Sequence, residues 1–131
     1  MLLVLVVVVA SVIASFTDWV FMDVMVRAQY AAAPDVWRAG FSETWRVVWS
    51  QLLGFGSSAT LTWLYVLTQP ADLAEAARLA TIVWLAAVAP ITLQNVLWMR
   101  LHPVVGLSHA IGWLVRFLIT MQVAVWLAPH A

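Results

Sequence analysis

The sequence predicts an all-α integral membrane protein: a four-helix antiparallel bundle that forms a single transmembrane domain over residues 1–131. The first observation is composition, since 65% of the residues are hydrophobic and 9% are charged, against about 25% charged in a typical soluble domain. The second is that apolar runs occur four times, each near the roughly 20 residues that a membrane helix needs. We expect spans over about 1–22, 47–67, 79–98 and 104–127, with the lipid bilayer as surroundings.

Charge and cysteine content exclude several classes of function. The formal net charge is zero, so a nucleic-acid partner has no electrostatic support. The chain has no cysteine, which removes disulfides, thiol chemistry and cysteine-ligated metals. The sequence has no recognisable motif for a metal, a nucleotide or a catalytic nucleophile. We therefore expect no cofactor, no metal site and no catalytic residue.

The first apolar run is either a retained membrane helix or a cleaved signal peptide. Val12 and Ala14 form a weak small-residue cleavage pattern, but no basic residue precedes the run, as one normally does in a signal peptide. We favour the retained helix. One face of this helix carries residues at helical spacing: Ser11, Ser15, Asp18 and Met22.

The most polar stretch, residues 23–45, connects the first two spans. Pro34 and Asp35 predict a turn or a short helix, which Gly40 would end. Aromatic residues follow and indicate a segment at the level of the lipid headgroups; they are Trp37, Phe41, Trp45 and Trp49. The segment is either a connecting loop with interfacial anchors or a lid over an opening in the bundle.

The second span carries small or hydroxyl residues at every fourth position: Ser50, Gly54, Ser58 and Thr62. Small residues let helix backbones approach closely in lipid. We predict a tight helix–helix contact along this stripe, and we favour packing inside one chain over a dimer contact.

The third helix begins near Pro70 and Asp72, which are typical of helix starts. Pro90 should kink it and free the carbonyl of Ala86. Gln94 and Asn95 follow the kink.

The arginines predict the topology. Arg27, Arg38, Arg46 and Arg100 flank the first and third connections, and only Arg78 lies on the other side. Because basic residues favour the cytoplasmic face, we expect both termini outside the cytoplasm. As a separate expectation, the membrane is the bacterial inner membrane.

This topology brings several polar side chains to similar depth, as a candidate intramembrane site: Arg116, Asp18, His109, Asn95, Gln94 and Gln51. Arg116 lies near the middle of the last span, where a charge costs about 2.5–3.5 kcal/mol on insertion scales and should face the bundle interior. Asp18 is the first-ranked partner, because only it neutralises the charge. The alternative acceptors are Gln94, Asn95 and carbonyls near Pro90. Each of these residues also has a structural interpretation, as pairing or interhelical hydrogen bonding.

The stretch from Leu93 to Trp126 contains Gln94-Asn95-Val96-Leu97, Arg100, Pro103 and His109 to Val115. It resembles the last helix pair of a family of small bacterial four-helix membrane proteins of unknown function. The aromatic exit from the first helix, with Trp19, Tyr30 and Trp37-Arg38, is similar too, although this chain has Asp18-Trp19 where the family has Trp-Tyr. The resemblance implies the same four-helix plan and no activity.

Two classes of function follow. The first is a non-enzymatic helix bundle that acts as a homo-oligomer or as an accessory subunit of a larger membrane partner. The alternative is a small solute, ion or proton-linked transporter that uses the polar face of Asp18, His109 and Arg116. A water-filled volume between the helices would favour the transporter. A membrane enzyme comes third, because one histidine and one acid make a thin catalytic set.

Overall fold

The computed structural model describes residues 1–32, 40, 42–99 and 102–128. Within these ranges the secondary structure is helical and no strand occurs, which confirms the all-α class. Several predictions fall outside the described residues: the turn or helix from Pro34, the placement of Trp37 and Phe41, and the positions of Arg38 and Arg100.

The chain folds into α-helices that two π-helical segments extend. The first half contains α1 (Leu2–Trp19), the π-helical segment Val20–Met25, α2 (Arg27–Ala32) and α3 (Glu43–Thr68). The second half contains α4 (Leu73–Val83), the π-helical segment Trp84–Val88, α5 (Ala89–Trp98) and α6 (Pro103–Leu127).

Local sequence explains where the long helices begin. Ser42 caps α3 by accepting a hydrogen bond from the amide of Trp45. Asp72 accepts from the amide of Glu75, and the Glu75 carboxylate accepts from the amide of Ala71, so that donors at the start of α4 are satisfied. The predicted start near Asp72 is confirmed.

The helix that contains Pro90 widens before the proline. The Ala89 amide donates to the carbonyl of Trp84, five residues earlier, which is the π-helical pattern. This turn accommodates a residue that has no amide proton to donate. The Trp84 indole then donates to the carbonyl of Ala110, at 2.7 Å, and so ties this helix to α6.

Three helical segments in the described ranges are long and apolar enough to cross a membrane: Leu2–Met25, Leu73–Trp98 and Pro103–Leu127. They correspond to the first, third and fourth predicted spans, although the third helix starts six residues before 79. The second predicted span lies within α3, which has 26 residues. Gln51, Arg46 and the small and hydroxyl residues make α3 less apolar, and its membrane crossing stays a prediction.

Helix α6 is the centre of the fold and packs against α1, α3, α4 and α5. Helices α3 and α6 run in the same direction. Gly54 of α3 lies against Arg116 of α6, and Ser58, one turn later, lies against Thr120. At the C-terminal half of α6 the helices enclose an apolar core, formed by Val6, Leu61, Tyr65, Ala76, Ala80, Phe117, Met121, Ala124 and Ala128. The other half of α6 carries the polar residues described next.

Candidate functional site

Asp18 and Arg116 form an ion pair between α1 and α6. Arg116 Nη2 donates to Asp18 Oδ2 across 98 residues of sequence. The Arg116 side chain is 2% exposed and the Asp18 side chain 32% exposed. Arg116 therefore points inward and pairs with its first-ranked partner, as the sequence predicts. The role of this pair in function stays a prediction.

Gly54 makes room for the guanidinium. A Cβ atom at this position would meet Arg116 Nη1 first, and it would lie 2.7 Å from Cζ and 2.9 Å from Nη2. No real Cβ comes so close, so any larger residue has to displace the arginine. Gly112, one turn from Arg116 on α6, faces the carboxylate, because a Cβ there would lie 3.7 Å from Asp18 Oδ1. Each charged group of the pair thus lies against a glycine of another helix.

The predicted small-residue stripe of α3 packs inside the chain for three of its four members. Gly54, Ser58 and Thr62 are buried, whereas Ser50 is exposed. Ser58 Oγ lies 3.3 Å from the hydroxyl of Thr120, which also donates to the carbonyl of Arg116. The stripe therefore holds α3 against α6.

A cavity of about 230 Å³ opens beside the ion pair. The polar residues that line it are Asp18, Ser50, Gln51, Ser108, His109 and Arg116. The other lining residues are Phe21, Met22, Leu53, Gly112 and Trp113. The cavity lies between the end of α1, the beginning of α3 and the first half of α6.

His109 connects the cavity to the short helix α2. Its Nε2 is hydrogen-bonded to the hydroxyl of Tyr30, 79 residues away in sequence, and the two rings meet edge to face. Burial raises the pKa of Tyr30 to about 12, so the phenol keeps its proton at neutral pH and can donate it. Val26 and Val105 pack around Tyr30. Helix α2 is thereby fixed beside the cavity.

The remaining predicted site residues divide into two groups. Gln51 lines the cavity and accepts a 2.5 Å hydrogen bond from Ser15 of α1. Gln94 and Asn95 do not line it: Gln94 is exposed and Asn95 half-buried, both on α5. Equal depth does not imply the same helix face, and the role of Gln94 and Asn95 in an intramembrane polar site stays a prediction.

Two polar atoms at the cavity are buried without a hydrogen-bond partner among the described residues: Arg116 Nη1 and Ser108 Oγ. Native proteins leave few buried polar atoms unsatisfied, so each such atom requires an explanation. The Trp113 ring lies 5.6 Å from Arg116 Cζ and adds a cation–π contact to the charged group. The guanidinium is thus held by an anion, a ring and a glycine, with donor capacity left over.

The sequence pattern did not indicate how three residues contribute to the site. Tyr30 lies in the polar connecting stretch, and nothing in its spacing indicates that it meets His109. Ser15 belongs to the predicted polar face of α1, but its partner Gln51 cannot be read from sequence. Ser108 precedes His109 and carries no signal of its own, because an isolated serine in a membrane helix is commonplace.

Comparisons with protein families, with characterised proteins and with solved structures give no match to this chain. The resemblance to small four-helix membrane proteins therefore stays a prediction, and functional interpretation rests on the site itself.

Proposed function

We propose that the protein is a four-span membrane protein that admits a small polar solute into the cavity beside Asp18 and Arg116, as a small carrier or channel does. The observation that supports it is a guanidinium that is 2% exposed, incompletely hydrogen-bonded and adjacent to a cavity of about 230 Å³. An ionisable group at membrane depth is costly and is typical of ion and solute pathways.

The membrane placement belongs to the same proposal. At about 1.5 Å per residue, the 26 residues of α3 extend about 39 Å, which exceeds the roughly 30 Å hydrocarbon layer. Its inward face packs along α6 from Gly54 to Tyr65. The arginine distribution supports an orientation with both termini outside the cytoplasm and the cavity toward the cytoplasmic face. We propose a bacterial inner membrane as the location.

Reporter fusions test this placement. A reporter at Ala32 should behave as cytoplasmic, and reporters at Gln69 and at the C-terminus should behave as exported. If α3 does not cross the membrane, the reporters at Ala32 and Gln69 report the same side. That result would contradict the four-span arrangement.

The native chain has no cysteine, so single introduced cysteines test the cavity directly. Gln51→Cys lies at the cavity, where this residue is half-buried, and should react with a small charged methanethiosulfonate added to membrane vesicles. Ser58→Cys is the matched control, because Ser58 is fully buried outside the cavity lining, and it should stay unmodified. An unreactive Gln51→Cys in folded protein would refute a solute-accessible cavity.

A second candidate function, the oligomer or accessory subunit, is favoured by the outer face of α3. This long helix is less apolar than the three candidate spans, yet its outer face is exposed, with open space beside Gly56. A second copy or a larger membrane protein would cover this face better than lipid does. Thr60→Cys should then form an oxidised dimer more readily than the exposed control Leu97→Cys, and equal dimerisation would contradict the second-copy version.

A further inference from the structure

Asp18 is hydrogen-bonded to only one of the two terminal nitrogens of the Arg116 guanidinium. Nη2 carries the ion pair, whereas Nη1 is buried and has no partner among the described residues. A guanidinium matches a carboxylate through two parallel N–H···O bonds, which is its strongest mode of anion recognition. Ser108 Oγ is a second buried and unpartnered group at the same cavity. The site thus presents more donors than its own carboxylate satisfies.

The cavity walls indicate what kind of anion fits. Phe21, Met22, Leu53 and Trp113 contribute apolar surface to the lining, and the volume of about 230 Å³ limits the ligand to a small molecule. Such a surface suits a ligand with an apolar body and one oxyanion group. A small organic monocarboxylate has this chemistry.

The charges of Asp18 and Arg116 determine how such an anion can bind. With Asp18 ionised, Arg116 is already neutralised, and an added anion leaves one uncompensated negative charge where unpaired charge is costly. The other titratable side chain in the lining is His109, on α6, which faces Tyr30 of α2. The cavity residues of α3 and of the first π-helical segment are not titratable: Ser50, Gln51, Leu53, Phe21 and Met22. Asp18 is the group in direct contact with Arg116.

We propose that a small organic monocarboxylate binds Arg116 in exchange for Asp18, and that Asp18 takes up one proton from solvent as it is displaced. The Asp18 carboxylate is then a built-in occupant of the anion site, and protonation releases it. This inference rests on the proposed function of the cavity and adds the class of ligand and its coupling to a proton.

Benzoate binding to the purified full chain in lipid nanodiscs, measured by isothermal titration calorimetry at several pH values, tests the exchange. Because one proton enters with each anion, affinity should fall about tenfold for each unit of pH increase. Asp18→Asn should bind benzoate more tightly than the native chain, and with little dependence on pH. His109→Gln should retain the native pH dependence.

Arg116→Gln should abolish binding, and Arg116→Lys, which keeps the charge but loses the fork, should weaken it about tenfold. Should these variants not fold, Asp18→Asn decides alone, because a structural role for the pair predicts no gain in affinity on its loss. A loss of benzoate binding in Asp18→Asn would overturn the proposal, as would a pH dependence that disappears in His109→Gln instead.

Two further arms separate the possible sources of an oxyanion. Inorganic phosphate should bind more weakly than benzoate, because it lacks an apolar body, and phosphatidylglycerol in the nanodisc should not compete. If only the lipid competes for Arg116, the ligand is a headgroup and the monocarboxylate proposal is wrong. Reactive Gln51→Cys with no benzoate binding would overturn this inference alone, whereas unreactive Gln51→Cys would remove the proposed function itself.

Discussion

The two halves of α6 bury similar lengths of helix in opposite ways. Toward the C-terminus, Phe117, Met121 and Ala124 pack with residues of α1, α3 and α4 into a continuous apolar core. Toward the N-terminus, Ser108, His109 and Arg116 line a cavity. Flexible apolar side chains therefore fill the space between these helices in one region. In the other region the charged Arg116 requires polar partners, and a cavity lies beside them.

The largest expected effect of removing a charge is on the polar half. Arg116→Leu removes one member of a largely buried ion pair and leaves Asp18 unpaired, which costs about 3–5 kcal/mol for buried pairs; because Asp18 is 32% exposed, we expect a loss of about 3 kcal/mol. Thermal unfolding in detergent micelles measures it. Met121→Leu is the control in the apolar half, where a volume-conserving change costs less than about 1.5 kcal/mol. Equal melting temperatures for the two variants would refute the comparison.

The apolar half should be sensitive to size rather than to charge. Met121 is fully buried, so Met121→Ala should cost about 2–5 kcal/mol through lost contacts and a residual cavity. The same unfolding assay at low and high salt should give the same loss. A loss that depends on salt would show that the core is not dry.

A smaller loss is expected where the halves meet α3. Gly54→Ala places a methyl group against the Arg116 guanidinium, and overpacking of this kind costs about 1–3 kcal/mol. Gly56→Ala is matched in helix and in chemistry, but its Cβ meets nothing within 4 Å. That control should be neutral or stabilising by about 0.5–1 kcal/mol, from helix propensity. Similar destabilisation by both would remove the role assigned to Gly54.

The smallest loss of stability is expected when the hydroxyl of either of two tyrosines is removed. Tyr30→Phe loses the hydrogen bond to His109, and Tyr65→Phe loses the 2.9 Å bond to the carbonyl of Ala128 in the apolar half. Each should cost about 1 kcal/mol. Only Tyr30→Phe should also change the labelling rate of Gln51→Cys, because Tyr30 fixes α2 beside the cavity. A change of labelling rate in Tyr65→Phe would contradict this separation of the two halves.

Much of the architecture can be predicted from the sequence because membrane helices leave strong local signals. Apolar length predicts the helices, and Asp72 and Pro90 mark a start and an irregularity. The partner of Arg116 was predictable as well, because few acids lie near its depth and a charge cannot remain unpaired in lipid.

The remainder depends on rotation about helix axes and on long-range contacts. Gln94 and Asn95 lie on α5 and do not line the cavity. The contact of Tyr30 with His109 joins residues 79 positions apart, and neither residue type requires the other. Which faces meet is decided by packing of whole helices, which single residues do not encode.

The coupling between Asp18 and Arg116 tests the central claim most directly. A double-mutant cycle with Asp18→Asn, Arg116→Leu and the joint variant, followed by thermal unfolding in detergent, isolates the interaction from other effects of each change. We predict that the joint variant is more stable than Arg116→Leu alone, with a coupling of about 2 kcal/mol, within the range for residues in contact. If the losses of the single variants simply add, the two side chains are not paired and the site described here does not exist.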